Sequence, residues 1–236
     1  MINEIIVAVI LGSIIALDRT AVLQLMISQP IVASPIIGYF LGNPILGLHV
    51  GAATQLIWLP SLQIGAAIVP NASVAAILIT SASIIIMQFP EMSGITSMSI
   101  CGAVFLCVIP LLSIEEKADM LVRKNNYIWV EAAIKAIKRD DLSLIGVYNL
   151  GGILFFFLKN MVFLAVSLSF LILLLPNILT HLPKEIISSF SHLFRLLPVI
   201  GVAVILKNLL IKKFYYYFIA GACVQIIIIL LMLRYG

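Results

Sequence analysis

Residues 28–76 read SQPIVASPIIGYFLGNPILGLHVGAATQLIWLPSLQIGAAIVPNASVAA, and none of them is Asp, Glu, Lys or Arg. The uncharged sequence extends in both directions, to Arg19 on one side and to Glu91 on the other. A soluble chain of 236 residues could not hide a segment of this length from water. Hydrophobic residues make up 63% of the chain and charged residues 10%, whereas soluble domains average roughly 45–50% apolar and about 25% charged residues. The solvent of this segment is therefore lipid.

Lipid also restricts the fold class. Every backbone N–H and C=O in hydrocarbon must be paired within the protein, which leaves α-helices or closed β-barrels. The long apolar runs do not alternate with polar residues, so a barrel is excluded. No Gly/Ser-rich linker divides the chain. The sequence predicts an all-α, polytopic integral membrane protein with a single membrane-embedded domain over residues 1–236.

Prolines and glycines interrupt the apolar sequence. Residues 5–17 are too few for a full span, which takes about 20 residues. Proline kinks a helix, and glycines spaced four apart let helices approach closely. Proline and glycine both recur in the apolar sequence that follows the first helix: Pro30, Pro35, Pro44, Gly38, Gly42, Gly47 and Gly51. We therefore expect short, broken and re-entrant transmembrane helices in close contact.

The segment from residue 54 to residue 76 is the predicted place for a binding site. Pro60, Gly65, Pro70 and Asn71 interrupt it at membrane depth, where irregular backbone survives only if it is buried in protein or lines a wet cavity. Gln24, Gln55, Gln63 and Asn71 are amides in charge-free sequence, and an unpaired amide in hydrocarbon costs several kcal/mol. They either form hydrogen bonds between helices or bind a polyhydroxylated solute, because amides both donate hydrogen bonds to hydroxyl groups and accept them.

Asp18 completes the set of candidate substrate-binding residues, because a charged pair of Asp18 and Arg19 follows the first helix. Ions within a membrane protein are functional candidates when they face a cavity, and the alternative is an interfacial helix cap. The candidate site is thus Asp18, Gln24, Gln55, Gln63 and Asn71.

The remainder of the chain divides into apolar runs around one charged segment. Residues 115–141 hold half of the charged residues, and their Lys and Arg content places them in the cytoplasm as one or two surface helices. The apolar stripe at residues 186–197 is typical of a helix that lies in the membrane interface. Further spans are predicted at residues 75–87, 95–112 and 142–175, the last ending at Pro176, and a terminal pair at residues 198–211 and 214–233.

The sequence offers no local machinery for catalysis. It has no phosphate-binding GxxxxGK[ST], no GxGxxG and no HExxH, and the dispersed His49, His181 and His192 have no carboxylate at metal-ligand spacing. We expect no metal, no cofactor and no catalytic residue, so the chain is not by itself an enzyme. The net charge of +4 suits loops beside an anionic leaflet of membrane lipid, and no basic face for a nucleic acid is evident.

Residues 28–76, the segment EEKADMLVRKNN from Glu115 and the stretch LPVIGVAVILKNLLIKKFYYYFIAGA from Leu197 together resemble the enzyme IIC component of the mannose/fructose/sorbose-type phosphotransferase system. The resemblance covers most of the chain. It implies a channel-forming subunit of the bacterial inner membrane that works in an oligomeric complex with an enzyme IID membrane partner and cytoplasmic IIA and IIB proteins. IIB would phosphorylate the sugar, and IIC would bind and pass it. Residues 115–141 would help to dock IIB.

The resemblance also places acidic residues where this chain has Asn43, Gln55 and Asn71, so that hydrogen bonding is kept and charge is lost. Three functions stay open at this point. The first is passage of a hexose-like sugar, the second is a structural or regulatory role in a IIC/IID complex, and the third is an ion-coupled secondary carrier. The third needs buried acids or histidines, to which only Asp18 and His49 come near.

Overall fold

The computed structural model describes residues 1–22, 24–59, 70–139 and 141–209, together with residues 216, 219, 221, 223 and 224. The described ranges contain helices and no β-strand, which confirms the all-α prediction. In chain order the α-helices are α1 (Ile2–Leu17), α2 (Pro30–Phe40), α3 (Pro44–Trp58), α4 (Ala72–Ile86), α5 (Ser97–Asn125), α6 (Tyr127–Ile137), α7 (Ile145–His181) and α8 (Lys184–Leu209).

The first helices are short, as predicted. α1 has 16 residues, α2 has 11 and α3 has 15. Pro30 and Pro44 stand at the first positions of α2 and α3, where the missing N–H of proline costs nothing. Asn43 caps α3, because its Oδ1 accepts the Leu46 N–H at 3.0 Å. Proline therefore sets where these helices begin.

Glycine allows α2 and α3 to pack backbone against backbone. A Cβ on Gly51 would lie 2.5 Å from the Pro30 carbonyl oxygen, and one on Gly38 would lie 2.6 Å from the Asn43 carbonyl oxygen. Both distances are far inside van der Waals contact, so only glycine fits. The predicted close approach is confirmed for Gly38, Gly47 and Gly51, whereas Gly42 lies in the turn after α2, with a φ of 85° and no atom within 4 Å of a Cβ added there.

The core of the protein surrounds α4. Every residue of α4 after Ala72 is buried, and the helix packs against α1, α2, α3, α5 and α7. Such complete burial explains why this helix has no charged residue and no polar side chain larger than Ser or Thr. The start of α4 therefore has a fixed position relative to five other helices, which matters for the site described below.

The long helices differ from the prediction in where they end. α5 extends to Asn125, far beyond residue 112. α7 continues through Pro176 to His181, and α8 runs unbroken through Pro198. The predicted stop at Pro176 and the division of α8 into an interfacial helix and a separate span are wrong.

Tertiary packing overrides the local proline signal in these helices. Phe194 and Leu197 of α8 are buried, and the backbone of α8 lies against Gly102 of α5 and, at Gly201, against Leu56 of α3. In a membrane, neighbouring helices compensate for the hydrogen bond that proline removes. Within the described residues, three helical stretches are long and apolar enough to cross a membrane: Ser97–Ile137, Ile145–His181 and Lys184–Lys207. The second helix of the predicted terminal pair lies largely outside the described residues.

Candidate functional site

A cavity of about 720 Å³ opens where α1, α3 and α4 end or begin. Its size lies within the range of small-molecule sites, roughly 300–1,000 Å³. Three of the predicted residues, Asp18, Gln24 and Gln55, line it. Asn71 stands between the lining residues Pro70 and Ala72, and Gln63 lies outside the described residues. The structure also adds lining residues that the sequence prediction did not include, namely Ser28, Gln29, Trp58 and Ser73.

Asp18 organises the cavity's rim. Its Oδ1 accepts the Leu25 N–H at 2.6 Å and its Oδ2 accepts the Ser28 N–H at 3.0 Å, so each carboxylate oxygen holds the loop that follows α1. Gln24 and Met26 in this loop have positive φ angles of 53° and 63°, a conformation that is uncommon outside glycine. The two hydrogen bonds to Asp18 compensate for this local strain, which fixes the loop beside the cavity.

Two glutamines form a polar wall. The Gln55 side-chain Nε2 donates to Oε1 of Gln29 at 3.0 Å, and the Ile31 N–H reaches Gln55 Oε1 at 3.5 Å. Within the described residues nothing accepts from the side-chain amide of Gln29. Each amide nitrogen carries two donors, so this pair has hydrogen-bonding capacity left for a solute.

Arg19 and Asn71 connect the cavity to the interior. The Arg19 guanidinium donates to Asn71 Oδ1 at 2.8 Å, and this oxygen also accepts the Val74 N–H at 3.3 Å, which caps α4. The Asn71 amide in turn donates to Oε1 of Glu115 at 3.2 Å. Asn71 is thus a hydrogen-bonded connector that is 8% exposed.

A cluster of four charged side chains, of which only Arg123 is exposed, lies behind Asn71. Lys159 Nζ lies 2.7 Å from Oε1 of Glu115 and 3.1 Å from Oδ1 of Asp119, and Arg123 Nε lies 2.7 Å from Oδ2 of Asp119. The Lys159 and Glu115 side chains are only 7% and 2% exposed. The expectation that residues from 115 onwards form a surface helix is therefore wrong for Glu115 and Asp119, because α5 carries them into the protein against α7.

Lys159 was not among the residues predicted from the sequence, although the sequence contained a signal for it. It is the only Asp, Glu, Lys or Arg between Asp141 and Lys184. A lone charge in so long an apolar stretch needs a partner within the protein. The partner itself could not be read from the sequence, because Glu115 lies 44 residues away on another helix.

A second cavity of about 500 Å³ lies between α6 and α7. Trp129, which packs against Tyr148 and Phe155, forms much of its wall. None of the predicted site residues lines it. Among the described residues, no group of three His, Cys, Asp or Glu side chains is placed to hold a metal.

Comparisons with known proteins identify the family and the fold. The family of the sorbose-specific IIC component of the PTS system matches residues 2–236. The mannose-specific EIIC component of the PTS system of Escherichia coli strain K12 is 25% identical over 182 residues, which are 75% of this chain and 63% of that relative. The mannose-specific EIIC component of Shigella flexneri gives the same figures. The chain thus spans less than two thirds of the length of these relatives.

Two solved structures share the fold. A membrane protein matches with a TM-score of 0.70 and 20% identity, over 100% of this chain and 97% of that chain. A chain in the cryo-EM structure of the mannose transporter ManYZ in complex with microcin E492 matches with a TM-score of 0.58 and 20% identity, over 100% of this chain and 96% of that chain. Because the family match spans nearly the whole sequence, this chain, a multi-pass membrane protein, belongs to the family of sorbose-specific IIC components of the phosphotransferase system.

Proposed function

We propose that this chain is the membrane subunit of a phosphoenolpyruvate-dependent phosphotransferase system that binds a hexose-like sugar and carries it across a bacterial inner membrane. Family membership supports the class of function. The observation that carries the proposal is the cavity of about 720 Å³ that glutamines, serines and Trp58 line at the ends of short helices. A cavity that carries several polar side chains at the broken part of a membrane protein suits a polar solute.

The chemistry of the cavity suits a sugar. Sugar hydroxyls donate and accept, and the side-chain amides of Gln24, Gln29 and Gln55 do the same. Trp58 adds a flat apolar surface for the C–H face of a sugar ring, and its edge contact with Phe105, with ring centroids 6.2 Å apart, fixes its orientation. The cavity therefore offers a pyranose both hydrogen-bonding groups and an apolar surface.

Phosphoryl transfer is assigned to other subunits. We assign the phosphorylation to a IIB protein that IIA recharges, and we place a IID subunit beside this chain in the membrane. α6 would face the cytoplasm and contribute to IIB docking, since its residues are mostly exposed and Lys135 lies in its last turn.

The test measures uptake of radiolabelled D-mannose, D-fructose and L-sorbose in cells with matched amounts of Gln55→Ala, Gln29→Ala or unchanged protein. Loss of one or two hydrogen bonds predicts a half-saturation concentration that is roughly tenfold higher. Gln88→Ala is the matched control, because Gln88 is exposed and bonds to Glu4 away from the cavity.

Two outcomes would count against the proposal. Unchanged half-saturation in both cavity variants would remove the sugar from this cavity. Normal uptake of every sugar in a deletion strain would contradict transport altogether and favour a structural or regulatory role in a IIC/IID complex.

A further inference from the structure

A continuous chain of polar contacts leads from the cavity wall to the centre of the helix bundle. It runs from Arg19 through Asn71 to Glu115 and ends on Lys159, with successive distances of 2.8, 3.2 and 2.7 Å. It joins the loop after α1, the start of α4, α5 and α7. A displacement of Lys159 would therefore move polar groups at the cavity wall.

Two oxygen atoms in this series of polar contacts each accept two hydrogen bonds. Oε1 of Glu115 accepts from Asn71 and from Lys159, and Oδ1 of Asn71 accepts from Arg19 and from the N terminus of α4. Ala72 and Ser73, which follow Asn71, line the cavity. The same side chain thus sets the position of a helix terminus and of the Arg19 guanidinium.

Arg19 gives this arrangement a consequence for binding. Guanidinium has five donors, and within the described residues Arg19 donates a hydrogen bond to Asn71 alone. Because Arg19 lines the cavity, its other donors are available to oxygens of a solute. The direction in which they point depends on Asn71, and through it on Glu115.

We propose that Glu115, held in an ion pair by Lys159, is a positioning residue for substrate binding: its side-chain oxygen accepts from Asn71 and fixes it, and Asn71 orients Arg19 and the start of α4 at the sugar cavity. The inference rests on the proposed transport of a sugar through this cavity. Neither residue of the pair touches the solute. This arrangement suits a neutral sugar, whose ring or hydroxyl oxygens accept hydrogen bonds from Arg19.

Replacing only one member of the pair would leave a buried charge without a partner and damage the fold. The test therefore compares two double variants that both remove the pair. Glu115→Gln with Lys159→Met keeps an acceptor for the Asn71 amide, and Glu115→Leu with Lys159→Met removes it. Asp119 keeps Arg123 as its partner in both. Apolar replacement of a buried ion pair is often neutral for stability, so the two variants differ mainly at Asn71.

The readouts are the half-saturation concentration and the maximal rate of sugar uptake, normalised to folded protein in the membrane. We expect the Leu/Met variant to raise the half-saturation concentration roughly tenfold and the Gln/Met variant to stay within about threefold of the unchanged protein. Lys184→Met, at an exposed lysine outside the cluster, should change neither quantity.

The inference is overturned if both double variants bind sugar with unchanged half-saturation, or if the Leu/Met variant alone fails to reach the membrane, since the pair would then serve the fold. Gln55→Ala in the same assay separates this inference from the proposed function. A shift in Gln55→Ala without one in the Leu/Met variant refutes only the positioning role, and no shift in either refutes both.

Discussion

Replacing Gly51 by alanine should force α2 and α3 apart. The new Cβ would lie 2.5 Å from the Pro30 carbonyl oxygen and 3.1 Å from Cβ of Ser34. The first neighbour is backbone and cannot rotate away, so the helices must separate. Overpacking of this kind costs about 3 kcal/mol at its upper end, and the better helix propensity of alanine returns up to about 1 kcal/mol. The expected net destabilisation is therefore about 2 kcal/mol.

Gly146 is the matched control, because no atom lies within 4 Å of a Cβ added there. Gly146→Ala should gain up to about 1 kcal/mol, so the two variants should differ by roughly 3 kcal/mol. At about 2–4 °C per kcal/mol for a chain of this size, their melting temperatures should be separated by roughly 6–12 °C. Thermal unfolding of the purified full chain in detergent, followed by fluorescence, measures this difference. Equal melting temperatures would refute the backbone-contact reasoning.

Two further predictions concern the cavity and the topology. In a Trp129→Phe background Trp58 is the only tryptophan left, so D-mannose, D-fructose or L-sorbose should change its fluorescence emission saturably. Adding Gln55→Ala should raise the sugar concentration at which half of this change is reached. A linear response that does not saturate would contradict a sugar site. Asn125 is exposed at the end of α5, and Asn125→Cys should react with a membrane-impermeant maleimide only after cells are opened, whereas labelling in intact cells would place this end outside.

The sequence was sufficient for the parts of the fold that depend on local chemistry. A long uncharged segment requires lipid, and lipid requires helices. Pro30 and Pro44 mark the starts of α2 and α3 because proline is tolerated at a first helical turn and costs a hydrogen bond further on. Gly47 and Gly51 of the α2–α3 contact were predictable in the same way, since their four-residue spacing puts them on one face of α3.

The parts that depend on partners distant in sequence were not predictable. Pro176 and Pro198 look like helix ends, yet α7 and α8 pass through them because neighbouring helices hold both flanks. Glu115 and Asp119 look like surface acids, yet they meet Lys159 across α5 and α7. Periodicity says which face of a helix is apolar, but it does not say which other helix that face contacts.

The three positions where the resemblance places acidic residues now have different roles. Asn43 caps α3, a role in which aspartate is equally good. Gln55 contributes an amide that both donates and accepts beside the cavity. Asn71 donates to Glu115 at 3.2 Å, which an ionised aspartate could not do, and such an aspartate would set two carboxylates against one another. The amide at Asn71 and the buried Glu115–Lys159 pair therefore require each other, and the missing charge is better explained as one half of a matched arrangement than as the decay of a transport site.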